Sequence, residues 1–353
     1  MAPTITINRD KYSFKNGETI LDVASRNGIR IPTLCHFPKV EPKAVCRVCL
    51  VEIKGSGKLT TACNTPVWDG MVVETENQKV RMVRRVGIEL MLADGCHDCL
   101  LCEANGDCSL QQLAYEYGID SSRLRHKGGP GKIEDNNPFI TRDTGKCILC
   151  GRCVQACQDI QVNDAIDFGN RGIETKIVTA FDKPLMSSQS DCVFCGECFQ
   201  ACPTGALTEK KSKGKGRGWE MDKIRSTCPY CGVGCQVWLH VNQGKIVSVS
   251  GVDAAEPNRG RLCVKGRFGY DFIYDKKRLT VPLIRENGDL REASWDEALD
   301  LLYSKFSDAV ENCGPDSVAG VSCARSINED SYNMQKLFRS VFKTNNIDHC
   351  ART

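Results

Sequence analysis

The 353-residue chain has no apolar run of the ~18 residues that a membrane-spanning helix needs, and its first ten residues alternate like a strand where a signal peptide would have an apolar core. These two absences predict a soluble, unexported protein. An excess of one charge is also missing: 47 Lys and Arg against 44 Asp and Glu leave +3, which gives no reason to expect a nucleic-acid partner. Histidine is scarce, five residues in all, and His36, His126, His240 and His349 read as surface or hydrogen-bonded side chains. What the chain has in quantity is cysteine. Twenty of its 23 cysteines fall into five groups of four, at a density that would crosslink in an oxidising compartment. Reduced cytoplasm is the expected location, with oxygen sensitivity as a corollary.

Length alone allows two or three domains. The cysteine groups argue for more and smaller modules, each stapled by a metal cluster on thiolates, in an α+β multidomain chain. In residues 1–78, Thr4 to Phe14 alternate as a hairpin, Asn16-Gly17 supplies a turn, and Glu18 to Asn27 form a helix stopped by Gly28. Strands at Val48 to Lys54 and Met71 to Glu74 would complete the sheet of a β-grasp ferredoxin, with Cys63 in the loop between them. In residues 79–126, a helix over Gln78 to Asp94, with Val80, Val83, Val86 and Leu90 at helical spacing, delivers the chain to the second cysteine group. Lys127 to Gly131 reads as a hinge. Residues 137–209 contain an internal repeat, and the basic, glycine-rich stretch Lys210 to Gly218 reads as a solvated linker or a docking strip for an acidic partner. A fourth unit covers 221–275. In 276–353, an amphipathic helix from Trp295 to Phe306 and a short buried strand from Ser317 to Ser322 suggest the opening of an α/β domain.

Iron–sulfur clusters need soft thiolates held close together, and a C-x2-C step supplies them because its tight turn points both sulfurs at one cluster. The repeat carries the strongest signal. Cys147, Cys150, Cys153 and Cys157 give C-x2-C-x2-C-x3-C, and Cys192, Cys195, Cys198 and Cys202 give it again before Pro203. In such two-cluster runs the fourth cysteine serves the other cluster. One [4Fe-4S] set is therefore Cys147, Cys150, Cys153 and Cys202, and the second is Cys192, Cys195, Cys198 and Cys157. Zinc sites do not demand this three-plus-one run. Cys35, Cys46, Cys49 and Cys63, inside the β-grasp reading, point to a [2Fe-2S] cluster over a structural zinc. Cys228, Cys231, Cys235 and Cys263 suit either a zinc ribbon or a cluster by spacing alone. In the remaining group Cys99, Cys102 and Cys108 are ligands for a [4Fe-4S] cluster, with Cys96 preferred as the fourth for its C-x2-C step to Cys99 and His97 as the alternative. Cys313, Cys323 and Cys350 read as buried small hydrophobes.

Four motifs in fixed order carry a resemblance. The β-grasp unit, the segment from Asp98-Cys99-Leu100-Leu101-Cys102 through Gly106-Asp107-Cys108-Ser109-Leu110-Gln111, the double repeat, and the stretches Thr227 to Cys235 and Gly260 to Gly266 resemble the N-terminal half of the cytosolic molybdenum- or tungsten-dependent formate dehydrogenase catalytic subunit. The plan is shared in part with the large iron–sulfur subunit of NADH:quinone oxidoreductase and with iron-only hydrogenases. The resemblance implies that the Cys228 group binds the proximal [4Fe-4S] cluster of molybdopterin oxidoreductases, and that 276–353 begins the molybdopterin-binding α/β domain. It also implies that Lys265 lies between cluster and pterin to favour electron passage, although alone it reads as a solvated lysine. One departure stands out: complex I relatives have a histidine ligand four residues before the match to Cys99, where this chain has Gly95.

The resemblance implies interconversion of formate and carbon dioxide at a molybdenum or tungsten bis-molybdopterin guanine dinucleotide. Electrons would pass through the Cys228 cluster, the ferredoxin pair, and then the Cys99 and Cys35 clusters. The implied partners are a flavin-containing NAD(P)H-reactive subunit, a ferredoxin-reactive subunit or a hydrogenase module. Ser322 to Asp330 and Asn345 to Thr353 resemble the segment leading to the metal-binding selenocysteine or cysteine of that family. The expectation is a selenocysteine codon directly after Thr353, no catalytic residue in the chain as it stands, and no formate activity from this piece alone. Two other readings are a non-catalytic electron-transfer subunit and the large subunit of an NADH dehydrogenase-type complex.

Overall fold

The computed structural model describes residues 2–38, 40–124 and 131–350, which divide into two compact units, residues 1–221 and 222–353. His126, most of the expected hinge and Ala351 to Thr353 lie outside the described residues.

In the first unit β1 (Thr4–Ile7) and β2 (Asp10–Ser13) pair antiparallel around Asn8, whose φ is 60°. The hairpin therefore turns earlier than Asn16-Gly17, and Gly17, at φ 89°, leads into α1 (Ile20–Arg26). A Thr19–Asp22 capping box starts that helix. With β3 (Leu50–Ile53), β4 (Leu59–Thr61) and β5 (Val72–Glu74) the sheet has the order β2-β1-β5-β3-β4, β1 and β5 running parallel. Alternation in β1 buries Ile5 and Ile7 against Ile20, Val23 and Ala24 of the helix, and this core extends to Cys49 and Cys63.

The next helix, α2 (Gln78–Ala93), is capped by Asn77 and buries Val80, Arg84, Ile88 and Glu89. Val86 and Leu90, expected on the packed stripe, are exposed. Two charged residues account for the difference, because each is buried with partners. Arg84 donates to the Leu50 carbonyl (2.6 and 2.9 Å), to Glu76 (2.7 Å) and to the Tyr117 hydroxyl (3.2 Å). Glu89 accepts from Arg123 at 2.6 Å and from Arg85 at 3.2 Å. Ile88 meets Leu110 and Leu113 of α3 (Ser109–Glu116) in a second core that also takes in Leu34 and Val48.

After β6 (Ile133–Glu134) and β7 (Ile140–Asp143) come α4 (Arg152–Gln155), the hairpin β8 (Asp167–Gly169) and β9 (Lys176–Val178), and α5 (Glu197–Ala201). The chain then returns through β10 (Leu207–Glu209) beside β7. The basic stretch that follows is not a free linker: Lys210 pairs with Asp135 at 2.6 Å and Arg217 donates to the Cys102 carbonyl at 2.6 Å.

In the second unit β11 (Asp222–Thr227), β12 (Gln236–Asn242) and β13 (Lys245–Gly251) form an antiparallel sheet against α6 (Val264–Phe268). The hairpin β14 (Leu283–Glu286) and β15 (Asp289–Glu292) precedes α7 (Trp295–Cys313), a longer helix than the sequence suggests. β16 (Gly320–Ser322), α8 (Asn328–Lys336) and β17 (Ile347–His349) make a parallel crossover. Val321 is exposed, so β16 is not buried on both faces. The expectation of three buried small cysteines also fails. Cys313 and Cys350 are exposed and Cys323 is half-buried, because they stand at the end of α7 and just past the ends of the paired strands, where the chain leaves its packed layer. His240, by contrast, is hydrogen-bonded to Ser250 at 2.8 Å. No helix among the described residues is long and apolar enough to cross a membrane.

Candidate metal centres

No disulfide joins any of the cysteines among the described residues. In both copies of the repeat the backbone turns in the same way. Leu149 and Gly151 sit at φ 51° and 77°, and Phe194 and Gly196 at 51° and 79°. A non-glycine residue in that region costs about 1–2 kcal/mol. The same strain at the same place twice marks a loop shaped by what it wraps. Its amides face sulfur, as where Leu149 N–H donates to Cys147 Sγ at 3.5 Å.

The fourth cysteine of each run sits with the other run. After burial, Cys153 feels chiefly Cys150, Cys202 and Cys147, with Cys198 last, whereas Cys198 feels Cys195, Cys192 and Cys157. The structure thus gathers Cys147, Cys150, Cys153 and Cys202 on one side, and Cys192, Cys195, Cys198 and Cys157 on the other. A cavity of about 180 Å³ is lined by all four cysteines of the first set and also by Cys198 and Thr204. Burial pushes the Cys147, Cys150 and Cys153 thiols up, Cys150 to about 12, so without a cationic partner these three stay protonated.

Cys35, Cys49 and Cys63 are each 1% exposed, and Cys46 is half-buried. They form two hydrogen-bonded pairs. The bond to Cys35 pulls Cys46 down to about 6 and raises Cys35, and the bond to Cys63 lowers Cys49 and raises Cys63. The loop is again strained, with Ala44 and Arg47 at φ 54° and 60°, and the Cys46 amide donates to Cys35 Sγ at 3.4 Å.

Cys99, Cys102 and Cys108 line a second cavity together with His97, Lys146, Thr204 and Gly205. Cys96 is exposed and does not line it. Burial lowers the pKa of His97 and raises those of Cys99 and Cys108. Thr204 lines both this cavity and the one around Cys147. Its hydroxyl donates to the Lys146 carbonyl at 2.9 Å, and the neighbouring Pro203 carbonyl accepts the Ser109 amide at 2.9 Å. The segment Cys202 to Gly205 is therefore a partition one residue thick at Thr204. Sequence reasoning missed Lys146, Thr204 and Gly205, which have no metal-ligating chemistry and whose signal was adjacency to Cys147 and to Cys202-Pro203; Arg217 was noticed only as part of the basic stretch.

In the second unit the Cys228 amide donates to the Cys235 carbonyl at 2.8 Å, and Gly234, at φ 68°, permits the tight turn. Cys235 feels Cys228, Cys231 and Cys263. Cys228 is buried, while Cys263, which caps α6, and Lys265 on that helix are exposed.

Among the described residues no three cysteines, histidines or carboxylates converge as ligands of a single ion would. Thiols that are grouped, buried and served by backbone amides are a donor set suited to an iron–sulfur cluster.

Comparison with known families agrees in kind. Residues 2–78 match the 2Fe-2S iron-sulfur cluster binding domain, 84–123 the NADH-ubiquinone oxidoreductase-G iron-sulfur binding region, and 146–206 the 4Fe-4S dicluster domain. Residues 221–275 match the molybdopterin oxidoreductase Fe4S4 domain and 278–353 the molybdopterin oxidoreductase family. The NADPH-Fe(3+) oxidoreductase subunit alpha of Geobacter sulfurreducens is 40% identical over 99% of this chain and 40% of its own length. The G-type subunit of a Rhizobium meliloti NADH-quinone oxidoreductase is 36% identical with the same coverage. A Bacillus subtilis protein provisionally named a formate dehydrogenase is 33% identical, again over 99% of this chain and 40% of that protein. The chain spans about two fifths of the length of these relatives. A crystal structure of an NAD+-reducing [NiFe]-hydrogenase in the H2-reduced state superposes on 60% of this chain and 88% of the solved one, with 30% identity and a TM-score of 0.52.

Proposed function

Starting from a chain that is the iron–sulfur electron-transfer region of a molybdopterin oxidoreductase or NADH-G-like subunit, we propose that it is the electron relay of a formate dehydrogenase or carbon dioxide reductase alpha subunit. Cys35, Cys46, Cys49 and Cys63 hold a [2Fe-2S] cluster. The two crossed sets of the repeat, the Cys99 group and Cys228, Cys231, Cys235 and Cys263 each hold a [4Fe-4S] cluster. Clusters bound there supply one-electron carriers between a molybdenum or tungsten bis-pterin site and a flavin-containing NAD(P)H, ferredoxin or hydrogenase partner. The chain's own residues bury the thiolates, aim amides at sulfur and exclude water.

The observation that carries the relay reading is the partition at Thr204, which lines both the Cys147 and Cys99 cavities. Two metal sites that share one residue as a wall suit short electron steps. Formate as substrate is supported by the resemblance of Asn345 to Cys350 to the formate dehydrogenase segment and by the Bacillus relative. In this reading Lys265 is the charged residue between the proximal cluster and the pterin. A second reading, an NAD(P)H-linked electron-transfer subunit without formate chemistry, is favoured by the 40% identity to the Geobacter protein.

The test is anaerobic purification of the complete gene product, followed by low-temperature EPR after addition of formate or of NADPH. Formate that reduces the clusters and drives viologen reduction supports the first reading. Reduction by NADPH alone supports the second. Protein that lacks iron and acid-labile sulfide overturns both.

A further inference from the structure

We infer that the fourth ligand of the cluster on Cys99, Cys102 and Cys108 is Nδ1 of His97, and that Cys96 stays outside it. This deepens the relay reading and rests on it.

Exposure alternates from residue 95 to residue 100. Gly95, His97 and Cys99 are half-buried, whereas Cys96, Asp98 and Leu100 are exposed. His97, Asp98 and Cys99 all line the cavity, whereas Cys96 does not. The Cys96 side chain is exposed, and its backbone is anchored by donation of its amide to the Gly145 carbonyl at 2.8 Å.

The histidine ring is already oriented. Its Nε2 lies 3.1 Å from the Met91 carbonyl oxygen. A carbonyl only accepts, so Nε2 carries the proton and the lone pair of the neutral ring is on Nδ1. Metal-binding histidines are usually held this way, donating one ring N–H to a carbonyl and coordinating through the other nitrogen. Gly95 completes the argument. A Cβ at that position would fall 2.6 Å from His97 Nε2 and 2.5 Å from the Gly145 oxygen. No side chain at 95 can coexist with this ring, so the imidazole takes space that a donor at 95 would need.

A neutral nitrogen in place of a thiolate removes one negative charge from the cluster's surroundings and raises its reduction potential. The experiment uses the complete protein, prepared anaerobically with ¹⁵N-labelled histidine, and reads iron, sulfide, pulsed EPR and midpoint potential, with the [2Fe-2S] signal of the Cys35 group as the folding control. The expected results are a nitrogen hyperfine coupling on one cluster, full retention of iron in Cys96→Ala, and loss of one cluster's iron in His97→Ala. His97→Cys should keep the cluster, lose the nitrogen coupling and lower its potential. Loss of the cluster in Cys96→Ala, or a Cys99-group cluster without nitrogen coupling, overturns the inference. A Cys99→Ala variant with unchanged iron overturns the relay assignment of this group itself, and the inference with it.

Discussion

Gly205 is the position where one added carbon asks most of the structure. A Cβ built on it falls 2.3 Å from Cys102 Sγ, with the Ala104 Cβ at 3.4 Å and Lys146 Cδ at 3.6 Å. Ordinary contact needs about 3.5–4.0 Å. The sulfur, or the segment carrying residue 205, must therefore retreat by roughly 1.2 Å or more, judged against that contact distance. Cluster ligation tolerates displacements of about 0.2 Å. A free thiol would escape by rotating about χ1, but a thiolate bonded to iron cannot. Movement of the backbone is also resisted, since Thr204 is tied to Lys146 and Pro203 to Ser109.

Gly205→Ala is thus expected to eliminate or strongly alter the cluster of the Cys99 group while sparing the [2Fe-2S] cluster. The assay is iron and sulfide content with low-temperature EPR of the reduced protein. Gly87→Ala is the control: it lies inside α2 with nothing within 4 Å of the added carbon, and should stabilise the protein by about 0.5–1 kcal/mol in urea unfolding. Gly205→Ala with every cluster signal and potential unchanged would refute the reasoning, because Cys102 would then be a side chain free to turn.

Replacing Arg84 with Met should destabilise the first unit by about 1–3 kcal/mol in urea unfolding, because the buried Leu50 carbonyl loses both its guanidinium donors; Glu76, partly exposed, regains water and adds little. The Arg123 and Arg85 guanidiniums hold Glu89 below the usual carboxylate range. Its contribution is therefore present above about pH 4.3 and lost as pH falls through the depressed value, and Glu89→Gln should flatten that part of the acid-unfolding profile. Cys323 and Cys350 have their sulfurs 3.6 Å apart, and the Ala324 backbone, then Cys323, hold Cys350 below its ordinary value. Limited diamide should join them in the complete protein, with peptide mapping showing the crosslink; an unchanged count of alkylated thiols would contradict that geometry.

The grouping of the cysteines was legible because thiolate spacing is local information. C-x2-C-x2-C-x3-C determines a turn, and the turn recurs in both copies with Leu149 and Phe194 at the same φ. The helix stop at Gly28 and the strands around Cys63 were legible for the same reason. What escaped depends on residues far apart in the chain. The buried face of α2 was misread because Arg84 and Glu89 look like solvent-facing charges until Leu50 and Arg123 arrive to satisfy them. The basic stretch looked like a linker until Arg217 met the Cys102 carbonyl 115 positions away. The exposure of Cys96, whose amide is anchored on the Gly145 carbonyl, was hidden in the same way, since spacing alone favours its sulfur. In the proposed relay, passage of electrons between the Cys147 and Cys99 groups depends on the thin partition from Cys202 to Gly205, so a relative that kept every cysteine but carried a side chain at position 205 is expected to retain the cysteine pattern of a relay and lose one of its steps.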